Sequence, residues 1–81
     1  MDRKELEAKV LEAVAIAYNK DISEISLDTR FKEDLGGASI QMVGLISQIE
    51  NDDDLGVLIQ IPVASACVTI AEFVDKVEEE L

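Results

Sequence analysis

The chain has 81 residues, 48% of them hydrophobic but only 4% aromatic, and a formal net charge of −11 from 18 acidic and 7 basic side chains. One domain of this size buries roughly 60–65% of the surface its unfolded form exposes, enough for a small bundle but not for a deep substrate cleft. With no histidine, neither Ser-His-Asp nor Cys-His catalysis can be assembled, and the charge repels the phosphate backbone of nucleic acid.

A core of Leu, Ile, Val and Ala without tryptophan favours packed helices over a sandwich. The single Cys67 excludes an internal disulfide, points to a reducing compartment, and reads as a buried, inert thiol within "ASACVTI". No apolar run reaches the roughly 18 residues of a membrane span. "MDRKELEAKV" is too charged for a signal peptide, so a soluble, cytoplasmic monomer is expected, with no membrane insertion. The acidity suits protein partners with basic docking patches, reached by electrostatic steering; solubility alone is the other reading of the same charge.

In chain order, "DRKELEAKVLEAVAIAY" predicts a helix with Leu6, Val10, Val14 and Ala17 on one stripe, flanked by Leu11 and Tyr18. Asp2 with Glu5 suits its start and Asn19 its stop. Residues 20–38 form a long connection in which Ile22, Ile25, Leu27, Phe31 and Leu35 recur, which implies a segment pinned to a core. A short turn of helix is expected from Asp28 to Lys32, and Gly36-Gly37 to turn the backbone sharply after it.

A second helix is predicted from Ser39 to Asn51, with Met42, Leu45, Ile46 and Ile49 on one face and Ile40 and Val43 extending it. Gly44 lies inside it at a cost of about 1 kcal/mol relative to Ala. "ENDDDLG" fails as an EF-hand, because Leu55 and Pro62 occupy ligand positions of a loop beginning at Asn51; no metal site is assigned. Pro62 suits the first turn of a short third helix over about residues 60–66. Thr69 followed by Glu72 forms a capping box for a last helix carrying Ile70, Phe73, Val74, Val77 and Leu81. The sum is an all-α four-helix bundle, three main helices and one short third, spanning residues 1–81 as a single domain.

Chemistry then narrows to Ser39. Zinc ligands and a phosphate-binding loop are lacking, and no carboxylate pair lies in a recognisable pocket setting, so no catalytic residue is assigned and the chain reads as a non-enzyme. As a residue type at a helix junction, Ser39 is suited to N-capping.

"FKEDLGGASIQMVGLISQIE" resembles the signature of acyl carrier proteins, F-x-E-D-L-G-x-D-S-L before an amphipathic helix. Phe31, Glu33, Asp34, Leu35, Gly36, Ser39 and Ile40 carry the match, and "LGVLIQIPVASACVTIAEFV" is similar to the family's downstream half. The resemblance implies a four-helix bundle of acyl-carrier type whose Ser39 receives 4′-phosphopantetheine from coenzyme A through a phosphopantetheinyl transferase. It further implies acyl intermediates held as thioesters for fatty acid or polyketide-like synthesis, with a peptidyl or D-alanyl carrier as a variant. An apolar bundle can shelter a fatty chain, with the 20–38 loop opening to admit it. Acyl-transfer, condensing or adenylating enzymes would be the further partners, and Glu33, Asp34, Ile40, Val43 and Glu50 the residues facing them. The sequence departs from the family where Ala38 replaces the usual aspartate and where Gln41 and Gly44 replace frequent acids. Those departures imply either partners less dependent on charge or a degenerate, unmodified carrier-like domain acting as an interaction module.

Overall fold

Among the described residues four helices form in the predicted order: α1 (Arg3–Ala17), α2 (Ser39–Asn51), α3 (Ile61–Ala66) and α4 (Ile70–Glu80). The coordinates are a computed structural model describing residues 1–37 and 39–81. The Asp2 carboxylate accepts the Glu5 N–H at 2.9 Å and so caps α1. The helix stops where Asn19 takes a φ of +53°. There the N–H groups of Asn19 and Lys20 donate back to Ile16 and Ala15, closing the last turn. Pro62 lies in the first turn of α3, where its missing N–H costs nothing.

At α4 the Thr69 hydroxyl accepts the Glu72 N–H at 3.2 Å. The Glu72 carboxylate reaches back one residue further than a standard capping box, to the Val68 N–H at 3.3 Å.

The connection between α1 and α2 departs from expectation. Its helical turn is a 3-10 segment at Ile22–Glu24, not at 28–32. The reason is a capping box: Asp21 accepts the Ser23 N–H at 3.0 Å, and Glu24 accepts the Asp21 N–H at 2.8 Å. Residues 31–35 form a turn instead. The loop is also tied to the α3–α4 junction. Phe31 N–H donates to Val68 O at 3.0 Å, while Ile70 and Ala71 N–H donate to Thr29 and Leu27 O at 3.0 and 2.9 Å. A β-bridge between Arg30 and Thr69 results, although no strand partner is evident in the sequence.

α1 packs against α2 and α4, and α3 spans between α2 and α4. Leu6, Val10 and Val14 from α1 meet Leu45 and Ile49 from α2 and Phe73, Val74 and Val77 from α4 in one buried cluster. The scarce aromatics are grouped. Phe31 stands between Tyr18, at 5.9 Å between ring centroids, and Phe73, at 6.1 Å. Such tilted and edge-on pairs contribute about 0.5–1.5 kcal/mol beyond their buried area. The row ties the middle of the long loop to the end of α1 and the first turn of α4.

Candidate functional site

The segment before α2 is a closed turn. Its base is Phe31, 3% exposed. Asp34 N–H donates to Arg30 O at 3.0 Å, and the Asp34 carboxylate accepts the Arg30 N–H at 2.8 Å. That backbone N–H, aided by the Arg30 side chain, holds the Asp34 carboxyl below its ordinary range. The Arg30 guanidinium also pairs with Glu33 at 2.8 Å and Asp34 at 3.5 Å.

Gly36 and Gly37 complete the turn, donating to Lys32 O at 3.2 Å and Phe31 O at 3.0 Å. Both take left-handed backbone, with φ of +87° and +63°. Gly37 is required a second time for space: a Cβ there would lie 3.2 Å from Lys32 Cγ and 3.3 Å from Lys32 Cα. The turn therefore fixes the backbone as far as Gly37, two residues before Ser39. Ala38, the departure from the family pattern, lies outside the described residues.

Ser39 is the first residue of α2, and it is exposed. No acidic side chain stands in that first turn, where N–H groups lack intrahelical acceptors. Ser39, Ile40, Val43, Ser47 and Glu50 share the solvent side of the helix, opposite buried Met42, Leu45, Ile46 and Ile49. Ile40 is 80% exposed and Val43 48%, so the apolar surface continues out of the core onto the open face. All five residues read from the sequence as partner-facing (Glu33, Asp34, Ile40, Val43 and Glu50) are exposed. Glu33 and Asp34 are already engaged by Arg30, a pairing readable from their three- and four-residue spacing. Gly44 needs no special space, since a Cβ there would meet only Ala17 Cβ, at 3.9 Å.

The acidic knot after α2 is organised around Lys9. Its ammonium lies 3.2 Å from Asp52 and 3.1 Å from Asp54. Asp52 also accepts the N–H of Asp54 at 2.8 Å and of Leu55 at 3.1 Å, and these contacts, the Asp54 N–H foremost, hold its carboxyl below the usual range. These carboxylates tie the loop to α1. Cys67 is buried, its Sγ 3.5 Å from Val63 O, and burial pushes its thiol upward, away from thiolate chemistry. An open groove of about 300 Å³ runs beside it, lined by Lys32, Glu33, Ser65, Ala66, Cys67 and Val68.

The family described as a phosphopantetheine attachment site matches residues 8–77. The chain belongs to the acyl carrier protein family. It is 31% identical over 81 residues to an acyl carrier protein of an Exiguobacterium species, covering all of both chains. It is 35% identical over 79 residues to that of Rubrobacter xylanophilus, 98% of this chain and 95% of the other. With the acyl carrier protein of Rickettsia bellii it shares 35% over 74 residues, 91% and 84% of the two chains. The role of the family is carrying, not catalysis, and its cofactor is covalent 4′-phosphopantetheine. Phosphopantetheinyl transferases and acyl-transfer enzymes are its general partners.

Proposed function

We propose that this acyl carrier protein holds acyl intermediates as thioesters on a 4′-phosphopantetheine arm attached to Ser39, for fatty acid or polyketide-like synthesis. The observation that carries the reading is the position of Ser39: exposed, first in α2, and delivered there by the Phe31-anchored turn with its two left-handed glycines. Its surroundings fit a phosphodiester. A helix start favours an anion through free N–H groups and the positive end of the helix dipole, and no carboxylate in the first turn competes.

In the attachment step the Ser39 hydroxyl oxygen bonds to the phosphorus that bears the pantetheine in coenzyme A. The pyrophosphate P–O bond breaks, 3′,5′-ADP leaves, and the hydroxyl proton passes to a base of the transferase. The chain thus needs no histidine of its own. When attached, the arm supplies a thiol that forms thioesters, whereas Cys67 is buried away from such exchange.

Partner docking is read on the open face of α2. Residues 39–49 carry no charge, and Glu50 is the first acid of the helix. Recognition there rests on Ile40 and Val43 as well as on charge, which favours acyl-transfer, condensing or adenylating partners with an apolar seat inside a basic rim. A cytoplasmic setting agrees with the absence, among the described residues, of any helix long and apolar enough to cross a membrane.

The test is intact-mass measurement after incubating the unmodified protein with coenzyme A and a broad-specificity transferase. One phosphopantetheine is expected on the wild type and none on Ser39→Ala. An unchanged wild-type mass with several transferases would leave the unmodified interaction module as the reading.

A further inference from the structure

The phosphodiester proposed for Ser39 adds negative charge to a chain already at −11. Among the basic side chains, Arg3 is engaged with Glu7, Asp75 and Glu78, and Lys9 with Asp52 and Asp54. Arg30 holds Glu33 and Asp34, and Lys76 pairs with Glu79. Lys4 is on the first turn of α1, and Lys20 lines a separate groove with Glu24 and Asp34.

Lys32 is different. It is the sole lysine or arginine between positions 31 and 75, and it has no ion pair among the described residues. Its carbonyl accepts the Gly36 N–H at 3.2 Å. Its stem lies against Gly37, two residues before Ser39, closely enough that a Cβ at Gly37 would meet Lys32 Cγ at 3.2 Å. The side chain also lines the groove that runs past Ser65 and Val68. Arg30, by taking both neighbouring carboxylates, leaves the Lys32 ammonium uncommitted. The family signature has no fixed residue at this position, so the resemblance assigns it nothing.

From this juxtaposition we propose that Lys32 is a phosphate-binding residue, pairing its ammonium with the phosphodiester on Ser39 and fixing where the arm leaves the protein. The inference rests on Ser39 as the attachment point. A lysine suits the task because it is a compact charge on a flexible stem, able to meet a single anion without bidentate geometry. The pair is solvent-exposed and therefore weakened by salt. It directs the arm toward the groove between the motif turn and the α3–α4 junction.

The test uses the full chain and begins with its mass after transferase treatment. A wild type that gains no phosphopantetheine overturns the Ser39 assignment and this inference with it; a gain isolates the question of Lys32. The ³¹P resonance of the attached diester is then compared in wild type, Lys32→Gln and Lys32→Arg. The Lys32 ¹⁵Nζ resonance of the wild type is recorded before and after modification. Expected are a ³¹P shift in Lys32→Gln, its restoration in Lys32→Arg, and loss of the difference in about 1 M salt. The Lys32 ¹⁵Nζ resonance is expected to move on modification and to return toward its unmodified position in the same salt. Identical ³¹P resonances in all three proteins, with a Lys32 ¹⁵Nζ resonance unmoved by the arm, overturn the proposal. The ¹⁵N resonance is read on the unmutated chain, so a variant that folds poorly does not blunt it.

Discussion

At the start of α4, Thr69 and Glu72 close on the backbone from both sides. At the start of α2, Ser39 stands exposed with no acidic residue in the first turn. α1 and the 3-10 turn follow the α4 pattern, with Asp2 and Asp21 accepting backbone N–H groups. α3 has no side-chain cap, but it is one short turn and a half opened by Pro62. The contrast separates the starts of α1, the 3-10 turn and α4, where side chains hold the fold, from the start of α2. Negative side chains at those three starts contribute stability, whereas an acid in the first turn of α2 would repel the anion proposed for Ser39.

The largest expected disturbance comes from Gly37→Ala. It forces an L-residue to a φ of +63° and drives a Cβ against Lys32 Cα, a backbone atom that cannot rotate away. A loss of about 2 kcal/mol is expected in urea unfolding, with slower modification of Ser39. A variant as stable as the wild type would show that the path into α2 is not fixed by this turn.

The direct contrast of the two starts is a smaller effect. Thr69→Ala should cost about 1 kcal/mol in the same measurement, and Ser39→Ala in the unmodified protein clearly less. Equal losses would mean that Ser39 serves as a cap after all.

The smallest effect concerns the turn itself. Folded Asp34 titrates below its ordinary 3.8 because the Arg30 N–H favours the carboxylate. The unfolded chain therefore takes up that proton at higher pH than the folded one. The contribution to stability is full above 3.8 and is lost as the pH falls through the depressed folded value. Asp34→Asn should accordingly be less stable than wild type at neutral pH, with the gap closing below about pH 4 in acid unfolding curves. A gap independent of pH would assign the role of Asp34 to its hydrogen bond alone.

The three long helices were legible because each signal is local. The apolar stripe of α1, the Met42, Leu45, Ile46 and Ile49 face of α2, and the Thr69–Glu72 pair before α4 all recur at helical spacing and are found as such. The helical turn of the long loop was misplaced, although the same acidic capping spacing that marks α4 was present at Asp21 and Glu24. Hydrophobic recurrence drew the expectation to 28–32, where backbone hydrogen bonds to residues 68–71 favour extended chain and an open turn instead. The acidic knot could be recognised as something other than an EF-hand, yet nothing near it in sequence pointed to Lys9, 43 residues away from Asp52.

What the sequence by itself determined is the helix set, the motif from Phe31 to Ile40, and a serine at the head of α2. Each depends on side chains within about two helical turns of one another, whose effect on the backbone is independent of the rest of the fold. Only the tertiary structure decided which charges remain free and which apolar residues face solvent. Lys9 gathers Asp52 and Asp54 and Lys32 is left beside Gly37, whereas the closure of Arg30 over Glu33 and Asp34 follows a spacing the sequence already carries. The aromatic row of Tyr18, Phe31 and Phe73 anchors the turn that carries Arg30 and Lys32. Pairing and burial depend on distances across the folded chain, which helical periodicity does not encode.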